Sequence, residues 1–196
     1  MNTYKSSEHA AVSAVSVERI AELSLAALVA SKNDPHVNPR ELINAELIKE
    51  QKARVRYKNG FTLPTAASVL LANAARQDYN HRRRLSGNIV TASKQSRPSQ
   101  ACAHHIVALL AAGAARSRML LFRWGIGIND ADNGVFLPAK QVGLPGHPAA
   151  AHHKPHHDAK YHFEVFFRLN LRSNEVDGRA ELNGMKSDLL AGRMSL

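Results

Sequence analysis

Three short features, fixed in order along the chain, restrict what it can fold into. They are an adjacent pair, His104-His105, an Asn133-Gly134 step running into Val135-Phe136-Leu137-Pro138, and histidines four apart at 153 and 157. Eight of the 11 histidines (104, 105, 147, 152, 153, 156, 157 and 162) fall within one window of 59 residues. Neighbours on an extended segment point to opposite sides, so His104 and His105 cannot chelate one ion as a bidentate pair. At an irregular strand end, one ring can bind a metal while the other faces a substrate. Residues four apart on a helix share a face, so His153 and His157 can hold one divalent ion together. His152 and His156 offer the same spacing, and both registers stay open. The 153/157 register continues into Tyr161 and Val165 on one stripe. Asn-Gly before an apolar run closed by proline reads as a turn entering a short strand.

The segments around these features predict an α+β chain. Ala101 to Leu110 fits a short strand entering a loop or helix, and Arg116 to Trp124 a helix ended by Gly125. Val135 to Leu137 is the second strand. Pro155 to Leu171 is helical, with Tyr161, Val165 and Leu169 inward, and Glu181 to Met194 forms a last short helix on Leu182, Met185, Leu189 and Leu190. Residues 1–77 read as a helical docking or packing region. Its first helix carries Val12, Val15 and Ile20 to Val29, and its second runs from Arg40 to about Arg56 behind Asn38-Pro39. A turn at Lys58-Asn59-Gly60 precedes the third, Thr65 to Arg76. Residues 78–100, rich in Ser, Asn, Gly and Pro in their second part, read as a basic linker or arm, and 101–196 as the domain that carries the chemistry.

Charge narrows the partners. The net charge is +10, with 15 basic against 8 acidic residues in the first hundred and 11 against 8 after them. That surplus on a chain with 44% hydrophobic residues suits a folded protein with polyanionic partners. Arg82, Arg83 and Arg84 in the arm can track phosphates by charge, or simply be solvated. Arg116, Arg118 and Arg123 can contact phosphates or face water. A single cysteine, Cys102, excludes an intramolecular disulfide and any zinc site of several thiolates; it reads as a small buried residue at a strand start. Asp130 and Asp132 read as turn chemistry, His147 as a loop residue, His162 as a helix-face residue and Trp124 as core. The roles of Lys140 and Lys160 stay open. No secretory signal peptide is visible and no apolar run is long enough to span a bilayer.

Ala103-His104-His105, the run Trp124 to Pro138 (WGIGINDADNGVFLP), then His157 and Tyr161, resemble the AHH family of bacterial nucleases in the HNH/endonuclease VII superfamily. The resemblance covers roughly residues 95 to 194, and the crowding of histidines at 152–157 around Pro155 departs from it. It implies a ββα-metal finger within surrounding helices. It implies His104 as a metal ligand, His105 as the general base, and Asn133 as the asparagine pinning the loop that carries the base. His153 and His157 complete a site for one divalent ion (Zn, Mg, Mn or Ni), and Tyr161 packs or orients it. A nonspecific endonuclease acting on DNA, or RNA with the same site, is the implied activity. The implied setting is an antibacterial toxin made in the bacterial cytoplasm and delivered without a cleavable signal. A cognate immunity protein of acidic character is the implied partner, and the N-terminal helices suit docking to a secretion apparatus. A noncatalytic basic DNA-binding protein with a structural zinc is the alternative from another class.

Overall fold

The computed structural model describes residues 17–34, 36, 38–43, 54–76, 79–139, 143–153 and 157–196. The expectations for Val12, Val15, Lys140, Pro155 and His156, and for residues 44–53 of the second helix, fall outside these residues. Helix α1 (Val17–Asn33) buries Ala27 and leaves Leu25, Leu28 and Val29 exposed. Strands β1 (Tyr57–Lys58) and β2 (Phe61–Thr62) form a hairpin about Asn59-Gly60, both of which take positive φ. Helix α2 (Ala67–Ala74) follows and buries Val69, Leu70 and Ala74. Residues 39–43 are helical, but 54–56 are not, so the second helix does not reach Arg56.

Residues 81–93, expected within a linker or arm, form helix α3 (His81–Ser93). Asn80 caps it by accepting from the Arg83 amide (2.9 Å), and Lys94 ends it in the left-handed region. Ser86, Gly87 and Asn88 read as loop, yet Leu85 and Ile89 at i, i+4 make one buried face that decides the matter. Described residues from before position 77 pack into the core of those after it. Val55, Val69, Leu70 and Ala74 belong to the same core as Ile106, Leu121, Ile128, Val135, Val165 and Leu182.

The site rests on an antiparallel ribbon. β3 (Ala101–His105) pairs with β4 (Gly134–Pro138) so that His104 faces Val135 and His105 faces Gly134. Helix α4 (Ala115–Arg123) lies in the connection, behind a short 3₁₀ turn at Ala112–Ala114. Helix α5 (Ala159–Asn170) follows β4, which completes a strand–strand–helix order. Helix α6 (Glu175–Leu190) starts six residues before the expected Glu181, capped by Asn174. α3 covers one face of the ribbon, with Leu85 and Ile89 packed on Ala103 and Phe136. Gly134 is required by that packing rather than by a turn, since its φ is ordinary. A Cβ there would sit 2.6 Å from Leu85 Cδ1 and 2.8 Å from Ile89 Cδ1. The opposite face looks toward α5 and α6, where Tyr161, Val165, Leu169, Leu182, Met185 and Leu189 are buried. Trp124 is core: a Cβ on Gly178 of α6 would lie 2.6 Å from its ring. Among the described residues no helix is long and apolar enough to cross a membrane.

Candidate nuclease site

Alternation along β3 sends His104 and His105 to opposite faces of the ribbon, and different elements receive them. His104, only 2% exposed, faces α5. Its ring centroid lies 4.8 Å from that of His157 and 5.6 Å from that of His153. Its Nε2 stands 3.3 Å from the Tyr161 hydroxyl, which donates to the Ile106 carbonyl at 2.8 Å. The tyrosine hydrogen is therefore committed, its oxygen accepts from His104 Nε2–H, and Nδ1 is the nitrogen left to ligate a cation. Burial first, then the imidazoles of His157 and His153, holds the His104 pKa well below its ordinary value. Burial also lowers His153. Burial raises Tyr161, which keeps its proton.

His105 is partly exposed and faces the α3 side. Its Nε2 lies 3.1 Å from Asn129 Oδ1. Burial lowers its pKa to about 4, against the raising effect of the Asn129 contact. It is a neutral imidazole at neutral pH, able to accept a proton. Asn133 is fully buried and works on the loop after His105. Its Oδ1 accepts from the Val107 amide (2.8 Å), its Nδ2 donates to the Ile128 carbonyl (2.8 Å), and its own carbonyl accepts from the Ile106 amide (2.9 Å). This one side chain thus joins the end of β3 to the turn that enters β4.

His153 is tied by its amide to the Pro138 carbonyl at the end of β4 (3.0 Å). His157 stands just ahead of Asp158, which caps α5 by accepting from the Tyr161 amide (2.7 Å). His153 and His157 are both in ring contact with His104, whereas His156 of the other register lies outside the described residues. The three side chains suit a borderline divalent ion in their chemistry, since neutral imidazole is the ligating form and burial favours it at His104 and His153. Among the described residues no group of three His, Cys, Asp or Glu side chains is arranged to hold a metal ion. Ring contacts, rather than a finished coordination shell, are what joins these histidines.

The arginines divide. Arg82, Arg83 and Arg84 are exposed on the first turn of α3, and the charge of Arg82 helps depress His104, His105 and His153. Arg84 donates to the Tyr79 hydroxyl (2.8 Å). Arg118 is committed to the fold, donating to the carbonyls of Ala108 (2.9 Å) and Ala111 (2.8 Å). Arg116 is exposed over the Phe166 ring. Cys102 is partly exposed, not buried. His147 lies in an exposed loop, whereas His162 is buried beside Gly113 of the 3₁₀ turn.

Asp130 and Asp132 do more than shape a turn. Asp130 Oδ2 accepts from the amide and hydroxyl of Thr62 (2.7 and 2.6 Å). Arg179 of α6 donates to Asp130 (3.0 Å) and Asp132 (2.7 Å). Burial opposes the charge of Arg179, but these carboxylates prevail and raise its pKa. Asn129 and His81 were missed altogether by sequence reasoning. Asn129 sits inside the Asn/Asp-rich run, and nothing local marks it as different from its neighbours.

A scan against family models matches residues 85–190 to AHH, described as a nuclease family of the HNH/ENDO VII superfamily with conserved AHH. The chain belongs to the AHH nuclease family. The matched span begins inside α3 and takes in the ribbon, α4, α5 and all of α6, and Ala103-His104-His105 supplies the AHH triplet. Comparison with curated proteins and with solved structures returns no match. Nucleases of this superfamily generally use a divalent metal, which is the chemistry that the AHH domain's His104, His153 and His157 can accommodate.

Proposed function

We propose that the chain is a metal-dependent endonuclease that hydrolyses phosphodiester bonds of DNA without sequence preference. The observation that supports this most is the separation of the two β3 histidines, one placed among imidazoles and the other held by an amide. Phosphodiester hydrolysis needs those two environments: one for a cation and one for a base. His105 takes a proton from water as the water oxygen bonds to phosphorus and the bond to the 3′-oxygen breaks; the leaving oxygen takes a proton from solvent. A positioned general base contributes about 10²- to 10⁴-fold in rate. His104, His153 and His157 would hold the divalent ion, which when bound neutralises the phosphate and stabilises the leaving oxygen. Arg82, Arg83 and Arg84 lie on the exposed start of α3, where they can contact phosphates with no base readout.

A nonspecific nuclease endangers the cell that makes it. The reading therefore extends to an antibacterial toxin, made in the bacterial cytoplasm and delivered into target cells, with the N-terminal helices as docking elements. The +10 charge suits a neutralising immunity protein that is acidic. Incubation of the full chain with plasmid, and separately with an RNA transcript, in Mg²⁺, Mn²⁺, Ni²⁺ or Zn²⁺ with a chelator control tests the activity. Metal-dependent nicking of plasmid is expected. Binding without cutting in every metal would overturn the enzymatic reading, and cutting of RNA alone would overturn the DNA reading.

A further inference from the structure

Behind His105 runs a chain of side chains that ends on a backbone carbonyl. His81, at the start of α3 and 5% exposed, places Nε2 at 3.0 Å from the Arg76 carbonyl. Its Nδ1 lies 3.0 Å from Asn129 Nδ2 and 3.3 Å from Asn129 Oδ1. Asn129 Oδ1 in turn lies 3.1 Å from His105 Nε2. A carbonyl oxygen can only accept, and an amide nitrogen can only donate. The Arg76 carbonyl therefore requires a hydrogen on His81 Nε2, and in the uncharged ring Nδ1 is then the acceptor. Asn129 meets that acceptor with its Nδ2, at the shorter of the two distances, and turns its oxygen toward His105. His105 then carries its hydrogen on Nε2 and keeps the lone pair on Nδ1.

The backbone of Asn129 is held as well. Asn129 is fully buried, and its backbone carbonyl accepts from Asn88 Nδ2 of α3 at 2.6 Å. The Tyr57 hydroxyl from β1 approaches the same amide without reaching hydrogen-bond geometry. Helix α3 thus presents His81 and Asn88 together to one residue of the loop.

We propose that Asn129 and His81 are positioning residues that fix His105 in the Nε2–H tautomer, making Nδ1 the nitrogen that accepts the proton of the attacking water. The proposal rests on the nuclease reading for its kinetic consequence, but not for the tautomer itself. Neither residue touches substrate. They act by orienting the base, as an outer partner orients a ligating or catalytic imidazole elsewhere.

The test reads the tautomer directly. Long-range ¹H–¹⁵N correlation spectra of the ¹⁵N-labelled full chain, with the His105 signal identified by its loss in His105→Ala, should show Nε2–H in the parent. Asn129→Asp retains an acceptor for Nε2–H and should keep that tautomer. Asn129→Leu and His81→Phe should each give a mixture. On a fluorogenic duplex oligonucleotide, kcat should fall about 10- to 100-fold in Asn129→Leu with KM unchanged, and Asn129→Asp should recover most of it. Circular dichroism melts identify folded variants; if Asn129→Leu does not fold, His81→Phe carries the comparison. Pure Nε2–H at His105, or the parent kcat, in folded Asn129→Leu or His81→Phe overturns the proposal. Failure of the nuclease reading looks different: the parent itself cuts nothing, and the spectra still decide the tautomer.

Discussion

On one face of β3, His104 is packed against three other rings, those of His153, His157 and Tyr161, all brought from beyond β4. On the other face, His105 meets a single amide, which a helix from before β3 holds in place. Both rings are kept neutral, but for different uses. The His104 side gathers nitrogen donors that repel one another's charge, and this crowding suits a cation. The His105 side offers one directional acceptor, which suits a base whose lone pair must point one way. Two residues of identical chemistry acquire different surroundings through what covers each face of the ribbon, and the proposed roles follow from those surroundings.

The sharpest way to break this contrast is to remove each ring in turn. His105→Ala should lower cleavage about 10²- to 10⁴-fold while divalent-ion binding, followed by titration calorimetry, stays near that of the parent. His104→Ala should lose both. Equal loss of metal binding in the two variants would mean that the faces are not functionally separate.

Arg179→Met should damage both faces together. It removes the guanidinium that pairs with Asp130 and Asp132 in the loop that carries Asn129 and Asn133, leaving the charge of Lys186 nearby. Breaking a buried pair from one side costs about 3–5 kcal/mol. Urea denaturation should report a loss of that order; a change below about 1 kcal/mol would show that the loop does not depend on this ion pair.

Tyr161→Phe should touch the His104 face alone. It removes the oxygen that accepts from His104 Nε2 and the hydrogen given to Ile106. Affinity for Zn²⁺ or Ni²⁺ should weaken about 10- to 100-fold, with little change in turnover at saturating metal. An equal fall in saturated turnover would place Tyr161 in the chemistry itself.

The smallest expected effect concerns acid. The Arg168 guanidinium, with burial opposing and Arg193 assisting, holds Asp188 of α6 below its ordinary pKa of 3.8. A depressed folded pKa contributes stability that is full above the unfolded value and lost as pH falls through the folded one. The urea midpoint should therefore decline below about pH 4, and Asp188→Asn should flatten that part of the decline. Since Arg168 bridges Asp188 and Glu181, the loosening should begin where α5 meets α6, behind His104.

Much of the site could be read from the chain. His104 and His105 had to diverge once they lay on a strand, and the Asn-Gly step before Val135 had to open a second one. Tyr161, Val165 and Leu169 form the buried stripe that their spacing predicts. Helix α3 was hidden because its polar residues outnumber the two, Leu85 and Ile89, that bury it. The packing of residues 55–74 onto the later segments was hidden for a related reason. Val55 and Leu70 belong to the same core as Ile106 and Ile128, Thr62 bonds to Asp130 68 residues away, and no local period records such distances.

The sequence by itself determined the alternation that splits the histidine pair, the order of strand, turn, strand and helix, and the family triplet Ala103-His104-His105. Only the tertiary structure decided that Asn129 rather than a neighbouring Asn or Asp meets His105, that His81 stands behind it, and that Asp130 serves α6 and the hairpin. Backbone periodicity is a local property and fixes which way a side chain points. The choice of hydrogen-bond partner depends on which donors and acceptors packing leaves within 3 Å, and that is settled only when distant segments close on one core.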